Sequence, residues 1–307
     1  MKNETLCYVA TAVLCAGWLL VPGWSQTRGR DFNIDFQGGA DRCSDLKVRS
    51  SGQVAQAADS FSLQKSEAPT LEVDAPEHGI IRARGWDRNE YSVEACKIAV
   101  ADDQATAGQL LKGISVTRSP GRFSSSGPSS DAGRWEVYFI VHAPKDASLD
   151  LETQNGPIDV GGVSGTLKAR ATNGPIAIRD SSGAVEARTN NGPISFSGGG
   201  GDVRLNAQNG PISLKLAGEV WNGARLEAAT VNGPLSLALP DKFRSAVRVE
   251  ASGHAFINCR AGGCAGASTD SGPNRRTMQF NGSGDTVRVS TVNGPISVSG
   301  GKATRVL

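Results

Sequence analysis

The residues of this 307-residue chain that could do chemistry are three histidines, six cysteines and a scatter of carboxylates, and their spacing argues against most reactions. His78 and His254 fall at turn positions, His78 where other turns carry Asn and His254 where they carry Gly. His142 precedes Ala143-Pro144 at a strand end, with no partner visible in the sequence. There is no zinc-protease helix motif, no Gly-x-Ser-x-Gly elbow and no phosphate loop. Cleavage or elimination on a polysaccharide would need clustered carboxylates, for calcium or for acid–base work. Asp159, Asp180 and Asp202 lie at different distances from their nearest turns, so they form no acidic column. Arg170 and Arg188 do share a column with Glu152, which reads as a solvated face. No catalytic residue, metal ligand or cofactor is expected.

The cysteines point to covalent cross-links. Cys7 and Cys15 lie in an apolar N-terminal run, leaving Cys43, Cys96, Cys259 and Cys264. An even count in an exported chain suggests two disulfides. Cys259 and Cys264 enclose a flexible Arg-Ala-Gly-Gly tip, and Cys43–Cys96 is the remaining pair; so short a ring contributes roughly 2 kcal/mol. No close Cys-x-x-Cys pair is present, which disfavours a metal. Residues 1–25 read as a secretory signal, with Lys2 before an apolar run from Leu6 to Val21 and cleavage after about Ser25. The alternative is a retained N-terminal anchor, the one route to a membrane. Basic and acidic residues balance at 32 against 30, so bulk charge implies no nucleic-acid partner.

The elements that must position these residues follow from a repeat. Asn-Gly-Pro-Ile/Leu begins at Asn155, Asn173, Asn191, Asn209, Asn232 and Asn293, the first four at intervals of 18 and the fifth after 23. A fixed short period means stacked coils. Residues six, four and two before each Asn are apolar or Thr, hence interior, as are Ile158, Val160 and their equivalents after each turn. The intervening Gly serves a bend with φ > 0, and Pro starts a strand. Stacked Asn side chains can form an amide ladder. A degenerate coil is hidden at Val247–Phe256, followed by an insertion over about 258–283 that carries the Cys259/Cys264 tip.

Outward positions five before each turn read Asp150, Lys168, Glu186, Arg204, Glu227 and Arg248, alternating in sign at every step. With parallel strands ~4.8 Å apart, each charge would sit between opposite ones and help fix register. Six steps from Asn155 to Asn293 give a rod section of roughly 29 Å. The expected fold is therefore all-β, a right-handed parallel β-solenoid of ~18-residue coils with one short helix near 101–112, capped by Asp102. The expected organisation is a signal over 1–25, a leader with short strands over 26–68 and a solenoid over 69–307, regular at 149–239 and 285–300.

The repeated Asn-Gly-Pro-Ile behind Leu-x-Ala-x-Thr-like strands resembles the bacterial putative-adhesin family of Asn-Gly-x-Ile β-solenoid proteins, largely a domain of unknown function. The likeness covers about residues 70–300, including Gly85-Trp86-Asp87 and Ala143-Pro144. It implies an exported or envelope-associated solenoid, some relatives being linked to envelope stress systems, with no catalytic residues to carry over. The function expected is a non-catalytic cell-envelope adhesin-like, scaffold or interaction protein, located in the periplasm, envelope or extracellular space. The alternative is a carbohydrate-active enzyme, since right-handed β-helices host lyases and hydrolases. The partner expected is a protein or cell-wall glycan. Asp159, Ala177, Ser195, Ser213, Ser236 and Ser297 form a column of mostly small side chains suited to such contact. An open coil end invites self-assembly.

Overall fold

The computed structural model describes residues 32–34, 40–129, 131–253 and 255–301; the proposed signal, His254 and the last six residues lie outside this set. The chain runs through β1 (Phe32–Ile34), β2 (Val48–Ser50), β3 (Gln53–Gln64), β4 (Thr70–Trp86) and β5 (Glu90–Ala101) to α1 (Gln104–Gly113). It continues as β6 (Ser115–Ser119), β7 (Arg122–Ser126), β8 (Gly133–Pro144), β9 (Ser148–Asn155), β10 (Ile158–Gly161), β11 (Leu167–Asn173), β12 (Ile176–Arg179), β13 (Ala184–Asn191) and β14 (Ile194–Gly198). There follow β15 (Gly200–Asn209), β16 (Ile212–Leu216), β17 (Asn222–Asn232), β18 (Leu235–Pro240), β19 (Val247–Ser252), β20 (Ile257–Cys259), β21 (Ser268–Gly272), β22 (Arg275–Phe280), β23 (Val287–Asn293) and β24 (Ile296–Gly301).

The fold is all-β apart from α1 and short 3-10 turns, and its sheet is dominated by parallel pairs. Two ladders share β4. Sheet I holds the strands that lead into each Asn-Gly-Pro corner, in the order β7-β4-β9-β11-β13-β15-β17-β23-β19. Sheet II holds those that leave it, β8-β4-β10-β12-β14-β16-β18-β24-β20. Asn pairs with Asn at every step from Asn155 to Asn293, and His78 stands opposite Asn155. Between the sheets the interior is filled from alternate positions, with Ile158, Ile176, Ile194, Ile212, Leu235 and Ile296 all at 0–1% exposure. The interior Thr residues are not orphaned: Thr153, Thr189, Thr230 and Thr291 donate to the carbonyls of Gly79, Gly174, Gly210 and Gly233 in the preceding coil. That answers the buried-hydroxyl problem without water.

The corner glycines have a different reason from the one the turn suggested. Only Gly192 and Gly294, at φ 159° and 147°, have positive φ among the six. A Cβ at any of them would instead lie 2.0–2.3 Å from the carbonyl oxygen of the glycine one coil below. The backbones stack too closely for any side chain.

Coil order departs from chain order at both ends. The β7/β8 coil lies outside β4, although it follows β4 in sequence. The β23/β24 coil lies directly on β17/β18, and the earlier β19/β20 coil is placed outside it. Asn155 and Asn293 are thus five steps apart, roughly 24 Å rather than 29 Å. Nor is β23/β24 an open end. Antiparallel strands finish both margins: β6 on β7 and β22–β21 on β19 in sheet I, β5 and then β3 on β8 in sheet II. Residues 53–64, expected as part of a leader with short strands, are instead one twelve-residue strand at the margin of sheet II. Helix α1 buries Ala107 and Leu110 in the interior, and it is capped by Asp103, not Asp102, because it starts one residue later, with Thr106 N–H donating to Asp103 at 2.9 Å.

Candidate binding groove on sheet I

The outer face of sheet I carries two neighbouring rows of side chains, three and one residues before each corner. At the C-terminal end these rows become small, and a groove of about 520 Å³ opens across β13, β15, β17, β23 and β19. Four inter-strand steps make it about 19 Å long. Arg188 stands at one end, Asn206, Ala229 and Ser290 make the floor row, and Asn190 and Gln208 line the side with the exposed Val231 and Val292. Planar amides, a guanidinium and hydroxyls give donors and acceptors at a spacing fixed by the ladder.

The corner beside the groove is tied from strand to strand by side-chain amides. Asn173 Nδ2 donates to Asn155 Oδ1 at 2.8 Å, and Asn191, Asn209, Asn232 and Asn293 each repeat this on the preceding Asn at 2.9–3.0 Å. Asn155 ends the ladder on Glu77 O at 2.7 Å. Apart from the half-buried Asn155, these residues are exposed, on the outside of the corner.

At its far end the groove meets Glu250, whose side chain is 10% exposed. Burial acts to raise this carboxyl, but hydrogen bonds and charge from Arg248, Arg288 and Arg275 outweigh it and hold it below the usual range. Arg248 lies 2.5 Å, Arg288 3.0 Å and Arg275 3.1 Å away. A carboxylate so committed is a structural node rather than a proton carrier. It also explains a departure from the alternating column. Asp150, Lys168, Glu186, Arg204 and Glu227 stand in register, but the next member is Arg288, and Arg248 lies against Arg288 instead of Glu227. Two like charges meet because the coil order is inverted, and Glu250 bridges them. The signal was present in Arg288, five before Asn293, which would have followed Arg248 in chain order.

The ion pairs here come from arginines of the neighbouring row, diagonally, straight across or along one strand. Arg170 binds Asp150 at 2.7 Å and Glu152 at 3.2 Å, and Arg188 binds Glu186 at 2.7 Å. Lys168 makes no ion pair within 4 Å among the described residues.

The outer face of sheet II holds the other candidate column. Asp159, Ala177, Ser195, Ser213, Ser236 and Ser297 are in register, and Ser236 Oγ donates to Ser213 Oγ at 3.2 Å. Asp159 is occupied by Arg84 and, at 2.6 Å, by Arg179. His142 stacks on Trp86 at 5.2 Å, and burial lowers its pKa. The start of this face is covered by residues 40–48, joined to it by the Cys43–Cys96 disulfide and packed on Ile80, Tyr138 and Ile140. Cys259 and Cys264 are bonded in the C-terminal tip. Asp180 and Asp202 stay apart, Asp202 between Arg204 and Arg225 at 3.6 Å each. Among the described residues no group of His, Cys, Asp and Glu could hold a metal ion, and no helix is long and apolar enough to cross a membrane.

No known family profile matches the chain. No curated protein matches it either. Solved structures to which it is similar include a putative cell adhesion protein from Clostridium sporogenes, at 10% identity over 80% of this chain and 100% of that one, TM-score 0.29. A putative adhesin from Bacteroides fragilis matches at 10% identity over 80% and 97%, TM-score 0.37. A putative lipid binding protein from Parabacteroides distasonis matches at 8% over 78% and 96%, TM-score 0.25. Likeness at these scores says nothing of what the chain binds.

Proposed function

We propose that this protein is an exported, non-catalytic binding protein of the bacterial cell envelope, built as a right-handed β-solenoid, that holds an extended hydroxyl-rich chain of cell-wall glycan along the groove of sheet I. The observation that carries this reading is the groove itself, whose amides and hydroxyls repeat at the strand spacing over about 19 Å. A ligand with regularly repeated hydroxyls matches such a row, and the valines Val231 and Val292 suit its C–H surfaces. Two disulfides support export, since they persist in oxidising compartments. Handedness follows from the near-universal right-handed parallel crossover. The commitment of Glu250 to three arginines favours binding over turnover.

The test is co-sedimentation with purified peptidoglycan sacculi, with soluble products assayed in the same tubes. The protein should pellet with sacculi and release nothing. Ser290→Trp, which fills the floor, should weaken binding by roughly tenfold, about 1.4 kcal/mol, while leaving the Tm unchanged. Equal binding by the variant, no binding by the wild type, or release of fragments would each overturn the reading.

A further inference from the structure

We infer that the outer edge of β3 is a self-association surface, on which a second copy of this chain adds its own β3 antiparallel to continue sheet II. Strand β3 pairs with β5 over all twelve of its residues, without a bulge, and has no partner on its other side among the described residues. That leaves about 40 Å of backbone whose outward N–H and C=O groups lack a ladder partner. An edge of this length is a template for strand addition unless something blunts it.

The usual protections are missing. Residues 53–64 contain no Pro, no Lys and one charged side chain, Asp59, which Lys97 neutralises from the paired strand at 2.9 Å. Gln56, Ala57, Ala58, Ser60 and Ser62 are exposed and mostly too small to screen the backbone. Helix α1 buries Ala107 and Leu110 in the interior, where it packs beside β3, β5 and β8. The other sheet margins differ: β21 and β6 have five residues, β20 three, and β6 carries Arg118.

The strand is also complementary to itself. Side chains opposed across an antiparallel pair share a face, so a two-fold axis must pass through a residue. Placed at Ala58, it sets Gln56 against Ser60, Ala57 against Asp59, and Ala55 against Phe61. Each Asp59 then faces an alanine, and the one aromatic side chain faces a small one. An axis at Asp59 would oppose two carboxylates, so Ala58 is the favoured centre.

The experiment is sedimentation velocity on the full chain over a dilution series, with amide hydrogen exchange on the same samples. The wild type should show a reversible monomer–dimer equilibrium, and residues 53–64 should gain protection as concentration rises. Ala58→Lys places two ammonium groups at the axis and should weaken association by roughly tenfold or more. Thr269→Lys, on the β21 edge, should leave it unchanged. Circular dichroism and Tm establish that both variants fold. A wild type that stays monomeric overturns the proposal. So does a dimer that survives Ala58→Lys, or one whose protection appears outside residues 53–64, including protection seen only with another protein present.

Discussion

Between β9 and β17, sheet I repeats one arrangement at every step, whereas between β17 and β22 each step is made once. In the middle, a coil finds above and below it the same Asn amide, the same glycine carbonyl and a neighbouring charge of opposite sign. At the C-terminal end the coil order inverts, two arginines meet, and a single buried glutamate reconciles them with help from a third arginine on the antiparallel hairpin. Redundancy holds the middle and one node holds the end. Polar side chains should therefore be individually weak in the middle and strong at the end, while the backbone contact at the corner should show the reverse.

The largest effect belongs to that backbone contact. A Cβ on Gly192 would lie 2.2 Å from Gly174 O, and the carbonyl can retreat only by opening the coil spacing that every neighbouring hydrogen bond uses. Gly192→Ala is expected to cost at least the upper part of the ~1–3 kcal/mol typical of overpacking. Gly266→Ala, at the C-terminal tip where nothing lies within 4 Å, should stay within ~0.5 kcal/mol. Denaturant unfolding of the two variants decides it. Comparable losses would mean that corner stacking is softer than the geometry implies.

Much of the middle was legible in the sequence because its physics is local. Asn-Gly-Pro spacing, alternating apolar positions and the Cys259/Cys264 spacing each report a relation between residues that are close in the chain or separated by one period. The inverted order at the ends is not local. Val247, Val249 and Ala251 would fit against Leu226, Ala228 and Thr230 as well as against Val287, Val289 and Thr291, so apolar pattern alone does not choose between the two stackings. What chooses is Glu250 and the hairpin β21–β22, whose contacts with β19 join parts of the chain that the repeat does not relate. For a similar reason only short strands are expected over 26–68: Ala57-Ala58-Asp59 lacks large apolar alternation, and the full twelve residues of β3 gain their strand state from pairing with β5. The groove needed both the small residues Ala229 and Ser290 and the coil order that sets them side by side.

The second effect contrasts two glutamates at opposite ends of the strand ladders. Glu250 is held below the usual carboxyl range, so its stabilisation is present above the unfolded-state pKa and is lost as pH falls through the lower folded value. Glu136, on β8 opposite Ile98, is shifted the other way by burial, up to about 7, with Arg134 opposing. Between 4.5 and about 7 the folded protein keeps that proton while the unfolded chain releases it, so stability falls as pH rises through this window. Glu250→Gln should cost about 2–3 kcal/mol at neutral pH, below the ~3–5 kcal/mol of a fully buried pair because its arginines retain 30–56% side-chain exposure. The loss should shrink toward acid. Glu136→Gln should stabilise above pH 7 by on the order of 2 kcal/mol, with the gain fading in acid. Tm against pH for the three proteins reads both signs at once, and parallel curves would remove the distinction between the ends.

The smallest effect tests what the alternating column does. Lys168 stands between Asp150 and Glu186, yet those carboxylates are taken by Arg170 and Arg188 at 2.7 Å. Its contribution is then mostly the avoidance of a like charge. A double-mutant cycle of Lys168→Ala with Glu186→Ala should give a coupling below ~0.5 kcal/mol, and Arg188 with Glu186 the ordinary ~0.2–1 kcal/mol of an exposed pair. Lys168→Glu, by contrast, puts a third carboxylate between two others and should cost more than Lys168→Ala, by several tenths of a kcal/mol or so that added salt removes. If the lysine–glutamate coupling instead exceeds 1 kcal/mol, direct pairing along the column sets register, and Arg170 and Arg188 are secondary. An avoidance rule needs only that no step be wrong. That is why the column tolerates its one like-charged step at Arg288 and Arg248, where Glu250 supplies the missing sign.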